Sequence, residues 1–354
     1  MGRINAIRRE LAKQEYGALM ITSPANRTFA TGFISSAGVL LITSRDAFFF
    51  TDSRYIEAAE AAISDAHVRL VTHEDPYHDQ IKAALAESKI NSIGFEDNAV
   101  TYSKYNEWVE KLEVGLVPAQ KLITELRAVK SGADLENMKN AQRIAEKSFE
   151  ETLPLINSDI TERQLAAELV YRFQKNGADD KSFDPIVVSG SRSSMPHGVP
   201  GDEKISEGFL TIDFGVRLGA WCSDTTRTVC LGRPDDEMIR VYETVLEAQE
   251  AGIKTARAGV PGKDVDAAAR SIIESAGYGE YFGHGFGHGL GIEVHEAPTA
   301  SKSSEDILQD GAVISAEPGI YLPGRFGVRI EDVIYIKGNG CENITNLPKK
   351  LIIL

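Results

Sequence analysis

The sequence predicts an α/β domain with a mixed sheet over residues 1–125, followed by an α+β domain over residues 126–354 built on an internal repeat. Three observations carry this expectation. Helix-like and strand-like stretches alternate through the first part. In the second part, a helical segment recurs at an offset of 100 residues. Finally, Asp213, Asp224, His288, Glu317 and Glu331 all lie in apolar or glycine-dense runs, where an unpaired charge is costly. A chain of 354 residues is also long for one core.

The first helix covers residues 2–15, with Ile4, Ile7 and Leu11 on one face. Ala18–Ile21 is strand-like, and Gly38–Ile42 pairs with Ala47–Phe50 around a Ser44-Arg45-Asp46 turn. Helices near 53–63, 76–88 and 101–112 alternate with strands at Val68–Val71 and Ser92–Phe95. Gly115–Pro118 is the last strand before a boundary expected between Thr124 and Gly132. A long helix beginning near Ala133 then turns Leu135, Met138, Ala141, Ile144 or Ala145, and Ser148 or Phe149 to one side.

The repeat matches Ile160–Ala167, with the segment to Gly177, to Val260–Ala267, with the segment to Gly277. Each copy has a helix start signal, Thr161 with Gln164 as a capping box or Pro261 in the first turn, and a glycine stop. Each follows a longer helix, 134–153 or 235–257, and precedes strands that carry two of the carboxylates. Two such units are expected to pack as pseudo-symmetric halves, sheets inside and helices outside, with the carboxylates where the halves join.

Asp213 interrupts Phe209–Phe214, Glu317 follows Val313–Ala316, and Glu331 lies within Val328–Ile334. A hairpin centred on Leu218-Gly219 would set Asp213 directly opposite Asp224. Like charges so placed repel, and a cation between them reverses the sign, so the pair reads as half of a metal site.

The net charge of −14 argues against nucleic acid or an anionic membrane as partner. No apolar run reaches membrane-spanning length, and the N-terminus lacks the apolar stretch of a signal peptide, so the cytoplasm is the expected compartment. Cys222, Cys230 and Cys341 have neither the number nor the spacing of a disulfide framework or zinc knuckle. Cys222 and Cys230 are expected to be buried fillers on the hairpin strands.

Of seven histidines, His67, His73 and His78 lie in polar contexts and read as surface residues. His197, His284, His288 and His295 fall in the second domain. The i, i+4 spacing of His284 and His288 could mark a zinc-binding helix, but glycines at 283, 285, 287, 289 and 291 disfavour a helix there. Those glycines suit a backbone that approaches a metal or substrate closely.

The chain resembles the Xaa-Pro metallopeptidases, prolidases and aminopeptidase P, which share the pita-bread fold with methionine aminopeptidase and creatinase. The resemblance rests on Met195-Pro196-His197-Gly198, Thr211–Gly215, Ser223–Thr228, Gly283–Gly291, Val294-His295-Glu296, Glu317–Tyr321 and Val328–Asp332. It extends to Thr31-Gly32-Phe33 and Thr51–Tyr55, which look like that family's accessory domain. It departs at Ser315-Ala316, where apolar β-branched residues are usual.

The resemblance implies two divalent ions held by Asp213, Asp224, His288, Glu317 and Glu331, with Asp224 and Glu331 bridging. It makes His197 and His295 donors to the substrate carbonyl, Glu317 also a proton relay, and His284 a substrate-side or supporting group, with a satisfied structural histidine as the alternative. Arg329 would orient Glu331, bind a substrate carboxylate or form an ordinary ion pair, and Tyr321 would line the pocket or sit in the core. An oxygen-rich donor set suits manganese, with cobalt, iron(II) or zinc as alternatives. The implied substrate is a proline-containing di- or oligopeptide, with a dipeptidase favoured narrowly over an aminopeptidase, and the implied assembly is a homodimer. A catalytically inactive binding protein of the same fold is the remote alternative.

Overall fold

A computed structural model describes Gly2–Leu354. The chain divides into two units, residues up to Arg127 and Ala128–Leu354.

In the first unit, β1 (Ala18–Ile21), β2 (Val39–Thr43), β3 (Ala47–Thr51), β4 (His67–Leu70), β5 (Ser92–Phe95) and β6 (Gly115–Pro118) form a sheet ordered β4-β3-β2-β1-β5-β6. β2 is antiparallel to β1 and β3, whereas β3–β4, β1–β5 and β5–β6 run parallel, so the expected mixed sheet is present. The β2–β3 turn closes because the Thr43 hydroxyl accepts from the amides of Arg45 and Asp46. Parallel neighbours need crossovers, and helices supply them.

Among the described residues six helices belong here: α1 (Arg3–Leu11), α2 (Pro24–Thr31), α3 (Ile56–Ala62), α4 (Tyr77–Glu87), α5 (Tyr102–Leu112) and α6 (Gln120–Ala128). α1 buries Ile4, Ile7 and Leu11, the face its spacing indicated. α2 and α6 were not legible. α2 has only two turns, started by the Ser23 side chain capping the Asn26 amide and stopped by Gly32 at φ 74°.

The second unit opens with α7 (Gly132–Thr152) and α8 (Glu162–Lys175). Strands follow: β7 (Asp180–Lys181), β8 (Ile186–Ser189), β9 (Gly208–Phe214), β10 (Val216–Leu218), β11 (Trp221–Cys222) and β12 (Thr225–Leu231). The second half begins with α9 (Asp236–Thr255) and α10 (Gly262–Ser275). It continues with β13 (Gly287–Gly289), β14 (Glu296–Ala300), β15 (Val313–Ala316), β16 (Gly319–Leu322), β17 (Phe326–Arg329), β18 (Asp332–Lys337) and β19 (Gly340–Asn343).

α8 and α10 start at the same point of each copy and are each 14 residues long. The reciprocal capping box of Thr161 and Gln164 forms at the head of α8. Each half has its own core. Ala145, Phe149, Leu165, Leu169 and Phe173 pack on Leu210, Ile212 and Phe214 in the first. Val241, Val245, Val265, Ala269 and Ile273 pack with Ile314, Val328 and Ile334 in the second. The halves meet where the Glu331 amide donates to Thr226 O at 3.1 Å.

The hairpin register corrects one expectation. Asp213 pairs with Thr226 and Leu218 with Trp221, so the turn lies at Gly219-Ala220 and Asp224 falls across from Gly215. The two aspartates are offset by two residues on one face rather than directly opposed, because Gly219 at φ 59° places the bend one position later. In the second half the register Ala316↔Asp332 continues as Gly319↔Arg329, and this sets Glu317 across from Glu331.

Candidate metal centre

Three of the five ligand candidates sit at breaks in strands. Asp224 separates β11 from β12, Glu317 lies between β15 and β16, and Glu331 lies between β17 and β18. At each break the chain leaves one ladder and joins another, which frees the side chain to turn inward. Gly215 allows the first break, since a Cβ there would stand 2.0 Å from Ser223 O. Asp213 points from within β9.

All five candidates line one cleft of about 980 Å³, together with His197, His284, His295 and Arg329. Donor atoms of Asp224, His288 and Glu331 lie within 4.8 Å of one another. His288 Nε2 is 3.1 Å from Glu317 Oε1 and 3.7 Å from Asp224 Oδ2. Its Nδ1 donates to Gly289 O at 3.1 Å, which leaves Nε2 aimed at the carboxylates. Asp213 stands one step aside, with Oδ2 taking a 2.6 Å bond from Arg329.

Burial together with the neighbouring carboxylates raises Asp224 and Glu331 well above the usual carboxylate range. Burial also raises Asp213, against the pull of Arg329. For Glu317 burial is outweighed by the hydrogen bond and charge of His288, which lower it, and His288 is raised in turn. Asp213 Oδ1 and Glu331 Oε1 are buried without a hydrogen-bond partner among the described residues. Crowded carboxylates with unpaired oxygens are the surroundings a divalent cation satisfies, so the residues present fit such an ion.

Arg329 reaches Asp213 rather than Glu331. It also donates to Thr226 Oγ1 at 3.0 Å, Pro196 O at 3.2 Å and the Tyr321 hydroxyl at 3.0 Å. Tyr321 is buried and bonds His284 Nε2 at 2.8 Å, while His284 Nδ1 donates to Gly285 O. Both His284 nitrogens are thus engaged, and burial lowers its pKa and favours the neutral ring. His197 and His295 are exposed in the cleft, with the His295 ring 4.2 Å from that of His288.

Several supporting residues escaped the sequence reading. Ser315 accepts from the His288 amide at 3.0 Å and donates to Glu317 Oε1 at 3.1 Å, joining two ligand candidates. Its departure from the resembled pattern was the available signal. The buried pair Asp266–Arg270 on α10 holds the glycine-rich segment, Arg270 donating to Phe282 O and His284 O and Asp266 accepting from the Phe286 amide. The buried pair Lys130–Glu296, at 2.6 Å, ties the residue after His295 to the chain just before α7.

Residues 136–338 match Metallopeptidase family M24, and residues 3–129 match the Creatinase/Prolidase N-terminal domain. The chain is 40% identical over 338 residues to an uncharacterized peptidase of Bacillus subtilis, covering 95% of each. It superposes on an Xaa-Pro dipeptidase from Bacillus anthracis with a TM-score of 0.95 at 38% identity, covering 99% of both chains. An X-Pro aminopeptidase from Thermotoga maritima gives 0.91 at 37%, covering 98% of this chain and 100% of that one. With these matches spanning both units and the carboxylate cluster falling within residues 136–338, the chain belongs to metallopeptidase family M24, with a creatinase/prolidase N-terminal domain followed in sequence by a pita-bread catalytic domain.

Proposed function

We propose that this chain is a metal-dependent Xaa-Pro dipeptidase, hydrolysing the bond between a first residue and proline. The observation that carries this reading is the oxygen-rich cluster with two unpaired buried oxygens in a cleft open to His197 and His295. Asp213, Asp224, His288, Glu317 and Glu331 would hold two divalent ions, with manganese favoured by the hard donor set. When bound, such ions supply Lewis acidity and acidify water near neutral pH.

The chain's own residues do the rest. His197 and His295, free on the cleft side, donate to the scissile carbonyl oxygen as it gains charge. Glu317, kept ionised by His288 and oriented by Ser315, accepts the proton of the attacking water and passes it to the proline nitrogen. Arg329 and Tyr321 keep Asp213 and His284 in place. A homodimer is the assembly this reading takes from the family resemblance.

A second reading, cleavage of longer Xaa-Pro peptides, is favoured by the cleft volume of about 980 Å³, at the upper end for small-molecule sites. Rates on Ala-Pro and Ala-Pro-Ala, with manganese and with chelator, decide between them. Turnover insensitive to chelator, or no turnover of either peptide with metal restored, would refute both.

A further inference from the structure

We propose that Glu162 is a positioning residue for His197, acting by closing the loop that carries it. The proposal rests on the reading of His197 as a substrate-facing group. Glu162 is fully buried at the start of α8 and is not among the ligand candidates. Its Oε1 accepts from the Ser189 amide at 2.8 Å, and its Oε2 from Arg192 Nε at 3.0 Å and the Gly201 amide at 3.1 Å. Arg192 in turn donates to Val199 O at 2.7 Å.

One carboxylate thus ties residue 189, where the chain leaves β8, to residue 201, where it returns. Between these feet lies His197, on a tip where Met195 and Val199 are 51% and 76% exposed. The loop is anchored before the tip at buried Ser193, whose hydroxyl accepts from the Gly327 amide at 2.9 Å, and is closed on itself by the Gly198 amide donating to Met195 O at 3.0 Å. Arg329 donates to Pro196 O at 3.2 Å, and the two ends of the loop are joined to each other through Glu162. Beside the Ser189 hydroxyl, the groups facing Glu162 are N–H donors, so glutamine, which brings an N–H of its own, cannot replace it without opposing at least one of them. A buried carboxylate whose bonds all go to the two ends of one loop is suited to hold the side chain between them in place.

The test is a double-mutant cycle on the manganese-loaded protein, with Glu162→Gln, His197→Ala and both together, assayed on Ala-Pro. Glu162→Gln should lower kcat about 10- to 100-fold, with KM and metal content little changed, as expected for a misplaced group. The double variant should be no slower than His197→Ala. Losses that multiply, or a wild-type rate for Glu162→Gln, would overturn the proposal. A wild-type rate for His197→Ala would remove its premise and overturn it too, while leaving the peptidase reading intact.

A second measurement does not depend on activity. The rate at which diethylpyrocarbonate modifies His197 in metal-free protein should change several-fold in Glu162→Gln, and an unchanged rate overturns the proposal. If that variant does not fold, Arg192→Ala, at the more exposed end of the pair, takes its place in both measurements with the same expected outcomes.

Discussion

Thr226 donates its hydroxyl to Glu331 Oε2 at 2.8 Å, while Glu331 Oε1 stays buried without a partner among the described residues. The same hydroxyl accepts from Arg329 Nε, so one side chain from the first half orients both a ligand candidate and the arginine that holds Asp213. Thr226→Val keeps the shape and removes the hydroxyl. Metal affinity should fall about 10- to 100-fold, as for other partners of ligating carboxylates. Manganese titration by calorimetry checks it, and unchanged affinity would remove the orienting role.

Metal removal should reveal the cost of the crowded carboxylates. Asp224 and Glu331 are raised in the folded protein, so it keeps protons that the unfolded chain gives up above about pH 4. Their contribution is full below that pH and is lost as pH rises toward the raised folded values. Chelator-treated protein should therefore lose Tm as pH rises above about 4, and less steeply in Asp224→Asn. A divalent cation should restore Tm most at higher pH. A metal-free Tm that rises over this range would count against the site.

Gly287 leaves no room for a side chain, because its Cβ would stand 2.0 Å from Ser315 O. Gly287→Ala must push apart β13 and β15, which carry His288 and lead to Glu317. The expected cost is about 1–3 kcal/mol of stability, with weaker metal binding. Urea unfolding and metal titration measure the two effects, and wild-type values of both would show that the strands can yield.

Burial pushes the Cys222 thiol up to about 11. Native protein at about pH 8 should then leave Cys222 unmodified by iodoacetamide while the urea-unfolded chain reacts at all three cysteines. Mass mapping reads this directly. Rapid native labelling of Cys222 would contradict the buried strand position.

The elements most legible in the sequence are those set by local chemistry. α8 begins where Thr161 and Gln164 cap it, and α1 buries the face its spacing marks. Less local features escaped. The register of the Asp213–Asp224 hairpin depends on the left-handed Gly219, and a shift of one turn position moves the pairing by two residues. Glu162 reads in sequence as an ordinary acid in a first helical turn, since its donors at 189, 192 and 201 come from distant chain.

By itself the sequence determined the two-part organisation, the repeat and which residues carry charge where burial is costly, because capping, periodicity and desolvation act over short stretches of chain. Only the tertiary structure decided how those charges meet. It set Glu317 across from Glu331, turned Arg329 to Asp213, engaged both nitrogens of His284 and hung His197 on a loop closed by Glu162. Those relationships depend on the packing of two halves whose strands switch ladders at the ligand candidates, and no local preference of the chain specifies that packing.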